Sequence, residues 1–89
     1  MTFKSRLDPG DCLEKITRDV RDVTSVRDLS VNSDGRNGYY VEVQHRDGES
    51  YRVDIKQDSR DGSHVSVHQI SGNHTGYSQD IEDRLHRHG

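Results

Sequence analysis

The sequence predicts a small α+β domain in which a four-stranded antiparallel sheet carries two helices on one face. One observation is a series of short alternating apolar segments separated by the turn pairs Asp34-Gly35, Asn37-Gly38, Asp47-Gly48 and Asp61-Gly62. Glycine accepts the positive φ of tight hairpin turns, and Asn or Asp tolerates it best among other residues. The other observation is an apolar stripe of helical period near each end of the chain. The predicted order is therefore α-β-β-β-β-α, with the strands joined as a meander.

The length and composition predict a single domain with a thin core. The chain has 89 residues, of which 27% are apolar and 33% charged. A chain this short buries only about 60–65% of the surface that it exposes when unfolded. Residues 1–7 precede the first helix signal, and we expect them to form a loose arm. The small core makes a second copy of the chain a candidate partner.

The first helix is predicted to begin at Asp8-Pro9. An aspartate caps the free N–H groups of a helix start, and proline fits the first helical position. The apolar stripe that follows has helical spacing and consists of Leu13, Ile16, Val20 and Val23. The charged residues on the other faces are typical of a solvated helix surface.

The last helix is predicted over about 77–88. Tyr77, Ile81 and Leu85 follow one another at intervals of four residues and form a second apolar stripe. Acidic residues lie in its first turns and basic residues at its end, which suits the helix dipole.

Four strands are predicted at about 26–32, 38–45, 50–57 and 63–70. Their inward-facing residues by alternation are Leu29, Val31, Tyr39, Val41, Val43, Tyr51, Val53, Ile55, Val65 and Val67. A two-residue turn at Asp47-Gly48 would place Val43 opposite Arg52 and put the apolar sets on opposite faces. A three-residue loop, 46–48, places Val43 opposite Tyr51 and is the predicted turn, a type I turn with a G1 bulge. The same parity requires an odd loop around Asp61-Gly62.

The opposite face of this sheet is the predicted binding surface. Its residues in the last three strands are mostly polar, and we single out Tyr40, Glu42, Arg52, Asp54, Lys56, His64 and His68. The register predicts Glu42 opposite Arg52 and Tyr40 opposite Asp54. Tyrosine and arginine are frequent hot-spot residues in protein interfaces. The alternative interpretation is an ordinary solvated sheet face.

The chemical motifs favour neither a metal site nor a cofactor. His64 and His68 would lie on one strand face about 13 Å apart, too far for one ion with metal–nitrogen bonds of about 2 Å. Cys12 is the only cysteine. The dipole of the first helix would lower the pKa of its thiol, but a small core residue is the expected role. We expect no metal, no cofactor and no catalytic activity.

Two other functions stay open as alternatives. Arg52, Lys56 and the histidines could bind nucleic acid, although the net charge is −3. The helix–strands–helix order resembles double-stranded RNA-binding domains, but those begin their last helix with basic residues. Here that segment reads Ser78-Gln79-Asp80-Ile81-Glu82-Asp83. The second alternative is a small metal-independent ribonuclease that uses His64 and His68 as base and acid.

The preferred hypothesis is a non-catalytic protein-binding module, either a regulator or a stoichiometric inhibitor, with a partner of unknown identity. It would act through the polar sheet face or a sheet edge. A phage or mobile-element origin would fit the size and charge. The longest apolar run is Tyr39-Tyr40-Val41, so we expect no membrane association. The single cysteine and the lack of a targeting pattern predict a cytoplasmic location.

Overall fold

Five strands form one antiparallel sheet, and both helices pack against one of its faces. The computed structural model describes residues 1–29, 38–58, 62–72 and 76–87. The elements are β1 (Thr2–Ser5), α1 (Pro9–Asp19), β2 (Val23–Asp28), β3 (Gly38–His45), β4 (Ser50–Gln57), β5 (Ser63–Ser71) and α2 (Gly76–Arg87). The strand order is β1-β5-β4-β3-β2. The predicted α+β class and the meander of four strands are confirmed, with a fifth strand added at one edge.

The added strand, β1, lies in the segment that we expected to be a loose arm, and that expectation is wrong. β1 pairs with β5, with Phe3 opposite Val65. The Phe3 side chain is buried with 7% exposure. Ser5 Oγ donates a hydrogen bond to the Leu85 carbonyl at 2.9 Å. The local signal is weak because four residues with one large apolar side chain form a strand only when a neighbouring edge is available.

Helix α1 begins at the predicted place and ends before its apolar stripe does. Asp8 Oδ1 accepts a hydrogen bond from the Asp11 backbone N–H at 2.8 Å, which is the predicted cap. The helix ends at Asp19, and Val20 is extended at φ −72° and ψ 131°. Val20 is nevertheless buried, and Val23 opens β2. Helical spacing therefore extended the predicted helix by one turn into residues that reach the core from other backbone conformations.

Strand β2 was predicted in the wrong place and with the wrong inward residues. It spans Val23–Asp28, with Val26 opposite Val43 and Arg27 opposite Glu42. Val23 and Val26 pack against the core, whereas the predicted inward residue Leu29 lies beyond the end of the strand. A one-residue change of parity moves every side chain of a strand to the other face. Position 31 lies outside the described residues, as do the turn residues Asp34, Gly35, Asn37 and Asp61.

The β3–β4 hairpin has the predicted register and turn. Val43 lies opposite Tyr51, and Glu42 lies opposite Arg52. Gly48 has φ +89°, and its N–H donates to the His45 carbonyl at 3.0 Å. A left-handed glycine at the third loop position is typical of the predicted type I turn with a G1 bulge. The β4–β5 pairing of Gln57 with Ser63 also confirms the predicted odd loop.

The core lies between the inner sheet face and the helices. Helix α2 contributes Tyr77, Ile81 and Leu85, all buried as predicted. Its bounds agree with the predicted helix to within one residue at each end. The largest fully buried side chain, Tyr51, comes from β4 in the centre of the sheet. This packing leaves the other sheet face for the predicted binding surface.

Candidate functional site

The outer sheet face is the face of the sheet opposite the helices, and all seven predicted binding residues lie on it. Five of them are exposed, namely Tyr40, Arg52, Lys56, His64 and His68. Glu42 and Asp54 are half-buried between their neighbours. Alternation along β3, β4 and β5 explains this placement, because residues between them, such as Val41, Val53 and Val65, are buried in the core.

The register arranges these residues in three rows across the strands. The first row joins Lys56 on β4 to His64 on β5. The second places Tyr40 beside Asp54, as predicted, and continues to Ser66. The third row is Glu42, Arg52 and His68, again with the predicted opposite charges in direct register. Neighbouring strands lie about 4.8 Å apart, so residues within a row act on the same bound group.

The edge strands add basic residues that the sequence analysis did not assign to this face. Lys4 of β1 lies opposite His64 and extends the first row. Arg27 of β2 lies opposite Glu42 and extends the third. Both were missed because β1 was not predicted and β2 was given the wrong parity. The alternation of Thr2-Phe3-Lys4-Ser5 was the one available signal for Lys4.

The outer sheet face is positive although the chain is acidic. Its strand residues include four Lys or Arg and two carboxylates, which gives +2 with neutral histidines. Since the whole chain carries −3, the remainder carries −5. This separation of charge comes from the fold, because Arg and Asp alternate along much of the sequence.

The cations on this face differ in how they are paired. Arg27 lies 3.5 Å from Glu42, and Lys56 lies 3.7 Å from Asp54. Lys4 Nζ lies 3.8 Å from Asp58, at the margin of the face. Within the described residues, Arg52 has neither an ion pair nor a side-chain hydrogen bond. Exposed pairs of this kind contribute little to stability, so these side chains are available to a partner at small cost.

A second group of titratable residues lies on the helix side and was not predicted. We call it the His45 cluster, and it consists of His45, Tyr51, Tyr77, Asp22, Asp47 and Glu49. The His45 ring stacks on Tyr77 with ring centroids 3.9 Å apart and an interplanar angle of 24°. It meets Tyr51 edge-on at 5.3 Å. Nothing in the local sequence distinguishes His45 from the other five histidines as a member of such a cluster, because its environment is created by three distant segments.

Carboxylates accept the hydrogen bonds of both tyrosines in this cluster. The Tyr77 hydroxyl lies 3.1 Å from Asp47 Oδ2 and 3.3 Å from Asp22 Oδ2, and it donates its single proton to one of them at a time. The Tyr51 hydroxyl donates to Glu49 Oε2 at 3.1 Å. Burial, with the two carboxylates beside it, raises the pKa of Tyr77 to about 12. The neutral phenol is therefore the form that holds this cluster together.

His45 is buried without a hydrogen bond to either ring nitrogen. Its exposure is 3%, and Nδ1 and Nε2 both lack partners in the described part of the chain. Burial lowers the pKa of His45 below its ordinary value, although the charge of Asp47 and the backbone of Glu49 act in the opposite direction. Each buried unpaired polar group costs about 1–3 kcal/mol, so this histidine is tolerated at the expense of stability.

The cysteine, the possible metal ligands and the helices give less support for a functional site. Cys12 is fully buried in the core, as expected, and burial raises the pKa of its thiol. Across the ranges that the structure describes, no group of three or more His, Cys, Asp or Glu residues could hold a metal ion. Likewise, none of the described helices is long and apolar enough to cross a membrane.

Comparison of the chain with protein-family models, with curated proteins and with solved structures gave no match. The function must therefore be argued from the geometry of the two sites.

Proposed function

We propose that this chain is a non-catalytic protein-binding module whose outer sheet face binds an acidic protein surface, as a cytoplasmic regulator or stoichiometric inhibitor. The observation that carries the proposal is the separation of charge, +2 on this face against −5 on the remainder. A positive face on an acidic protein attracts and orients an acidic partner and disfavours approach by the other sides.

Arg52 and Tyr40 are the expected centre of the interface. Arg52 lies on the central strand β4 and is unpaired within the described residues, so its five N–H donors are available to a carboxylate. Tyr40 is 37% exposed and lies on the neighbouring strand, two residues before Glu42. Glu42 is the residue directly opposite Arg52. Tyrosine and arginine are enriched among the residues that carry most of the binding energy in protein interfaces.

The face fits a protein better than a nucleic acid because carboxylates lie among its cations. Asp54 lies beside Lys56, and Glu42 lies between Arg27 and Arg52. A phosphate backbone laid across these rows would meet both carboxylates. A protein surface can match the mixed pattern with its own basic and acidic groups.

One row favours nucleic acid as the second candidate function. Lys4, His64 and Lys56 lie in direct register on three neighbouring strands, with no carboxylate in the row. Such a row can follow a phosphate backbone. The ribonuclease alternative gains nothing comparable, because His64 and His68 project from an open face about 13 Å apart.

The sheet edges are weaker candidates for a partner strand or for a second copy of the chain. β2 carries a bulge between Val23 and Ser25 and exposes the charged pair Arg27 and Asp28. Bulges and edge charges oppose strand addition. β1 has only four residues. A homodimer through an edge would appear as a dimer mass in light scattering and would survive changes on the outer face.

The test is capture of partners from lysate, with and without nuclease, by the wild type and by the Tyr40→Ala/Arg52→Ala variant. We expect a protein band that survives nuclease and is lost with the double variant. Arg18→Ala is the matched control, because it removes an exposed arginine from α1 on the opposite side and should retain the band. A band lost with nuclease would assign nucleic acid, and a band retained by the double variant would remove the outer face from the function.

A further inference from the structure

The His45 cluster joins three separate parts of the chain at one end of the core. Tyr77 belongs to the first turn of α2. Asp47 belongs to the β3–β4 turn, and Asp22 to the link between α1 and β2. The Asp22 carbonyl also accepts a hydrogen bond from the Arg46 N–H at 2.8 Å. The Tyr77 ring therefore attaches the start of α2 to the sheet and to both loops, beside a side-chain hydrogen bond between Ser78 and Tyr51.

Asp22 is held in an unusual conformation at this junction. Its φ is +62°, and it is the one non-glycine residue with positive φ in the described ranges. Aspartate tolerates the left-handed region better than most residues, but the conformation still requires support from its surroundings. One residue earlier, the Arg21 N–H donates to Asp80 Oδ2 of α2 at 3.0 Å. Arg21 thus connects the link to α2, and Asp22 connects it to the hairpin.

His45 lies under Tyr77 and depends on being neutral there. Its ring is 3% exposed, and neither ring nitrogen has a partner among the described atoms. A protonated imidazole would bring a charge and two N–H donors into this buried place. The nearby carboxylates already accept from tyrosine hydroxyls. Because neither ring nitrogen has an acceptor within hydrogen-bond distance in the described structure, the imidazolium can pair with a carboxylate only if the ring or the Tyr77 above it moves.

We propose that the His45 cluster is an acid-sensitive latch, in which protonation of the buried His45 imidazole releases Tyr77 and detaches the first turn of α2 from the sheet. The hydrogen bond that opens is the one from the Tyr77 hydroxyl to Asp47 or Asp22, and the imidazolium then pairs with one of these carboxylates. Helix α2 is also held by the buried Ile81 and Leu85 and by hydrogen bonds from the Arg21 N–H to Asp80 and from Ser5 Oγ to the Leu85 carbonyl, none of which involves His45.

Charged and titratable groups of the α1–β2 link, the β3–β4 hairpin and α2 surround the imidazole. Carboxylates predominate over cations in this group, which comprises Arg21, Asp22, Arg46, Asp47, Glu49, Tyr51, Tyr77 and Asp80. The carboxylates stabilise the imidazolium once it reaches water, and this favours the open state further. The tyrosines stay neutral throughout the acid range, so His45 is the group that changes charge.

The size of the effect follows from proton linkage. In the open state the imidazole binds a proton with an ordinary pKa of about 6.5, and in the closed state it resists protonation. The open state therefore gains protons as the pH falls below that value. Relative to pH 7.5, the opening equilibrium should rise about tenfold at pH 5.5 and about thirtyfold at pH 5.0.

The experiment is hydrogen exchange by mass spectrometry on peptides that cover 76–86, corrected for the intrinsic pH dependence of exchange. We expect protection of this segment to fall about tenfold from pH 7.5 to pH 5.5, while protection of β4 and β5 is retained. His45→Phe keeps a flat ring under Tyr77 and removes the titrating group, so its α2 protection should not change with pH. His68→Phe, on the outer sheet face, is the control and should behave as the wild type.

Several results would overturn the latch. Constant α2 protection in the wild type between pH 7.5 and pH 5.5 would show that protonation of His45 does not open the cluster. Equal loss in His45→Phe would assign the effect to the carboxylates. Simultaneous loss throughout β4 and β5 would mean global unfolding and no local release. If His45→Phe fails to fold, His45→Gln provides the same comparison with a neutral polar side chain.

Discussion

The burial of Phe3 tests whether β1 is part of the folded domain. Phe3→Ala removes a ring that is 7% exposed and contacts the core beside His86, with ring centroids 5.9 Å apart. Removing a buried phenylalanine side chain costs about 3–5 kcal/mol. Because Phe3 lies on an edge strand and neighbouring side chains can move into the space, we expect about 3 kcal/mol. A loose arm would give a value near zero.

Urea unfolding followed by circular dichroism measures this loss. With an m value of about 1.5 kcal/mol per M, a loss of about 3 kcal/mol lowers the midpoint by about 2 M. Thr2→Ala is the matched control, since Thr2 is in the same strand but points outward and is exposed. Its cost should stay within about 0.5 kcal/mol. A loss below about 1 kcal/mol for Phe3→Ala would refute the docking of β1 onto β5.

Two further predictions concern glycines and alkaline stability. Gly48 and Gly62 have φ values of +89° and +93°, so alanine at either position costs about 1–2 kcal/mol in backbone strain. Gly62→Ala should cost clearly more in the same urea assay, because its Cβ would collide with the Ser5 carbonyl while Gly48 has open space around it; equal costs would contradict the close approach of β1. Since the pKa of Tyr77 is raised to about 12 against 10 in the unfolded chain, its contribution to stability is complete below pH 10 and is lost as the pH rises through 12. Unfolding midpoints between pH 9 and pH 11.5 should show this loss in the wild type and in Tyr40→Phe but a smaller one in Tyr77→Phe, and an unchanged slope in Tyr77→Phe would show that other groups cause it.

Hairpin parity made much of the outer sheet face predictable. The apolar residues of β3 and β4 alternate, so only an odd loop at 46–48 keeps them on one face. That argument correctly placed Glu42 opposite Arg52 and Tyr40 opposite Asp54. It failed for β2, where the predicted inward residue Leu29 follows the strand and Val26 takes the core position. For β2, which has few apolar residues, no short hairpin loop ties its alternation to that of a neighbouring strand, so the wrong inward set could not be recognised.

The His45 cluster was beyond any local pattern. His45 lies at an inward position of β3, and alternation alone would have predicted its burial. Its environment depends on Asp22, which has a positive φ in the link between α1 and β2. It also depends on the path by which the chain returns to the sheet at α2, because this path places Tyr77 on the His45 ring. These are contacts between segments that are up to 55 residues apart in the chain.

By itself, the sequence determined the α+β class, both helices, the three central strands, the β3–β4 register and the odd loop between β4 and β5. Those features follow from residue periodicity and turn chemistry, which act over a few residues. The tertiary structure alone decided that residues 2–5 become a strand, that the outer sheet face is net positive, and that a histidine is buried without partners. The physical reason is that strand pairing, surface charge and desolvation are set by neighbours in space, which distant segments supply only after the chain has folded.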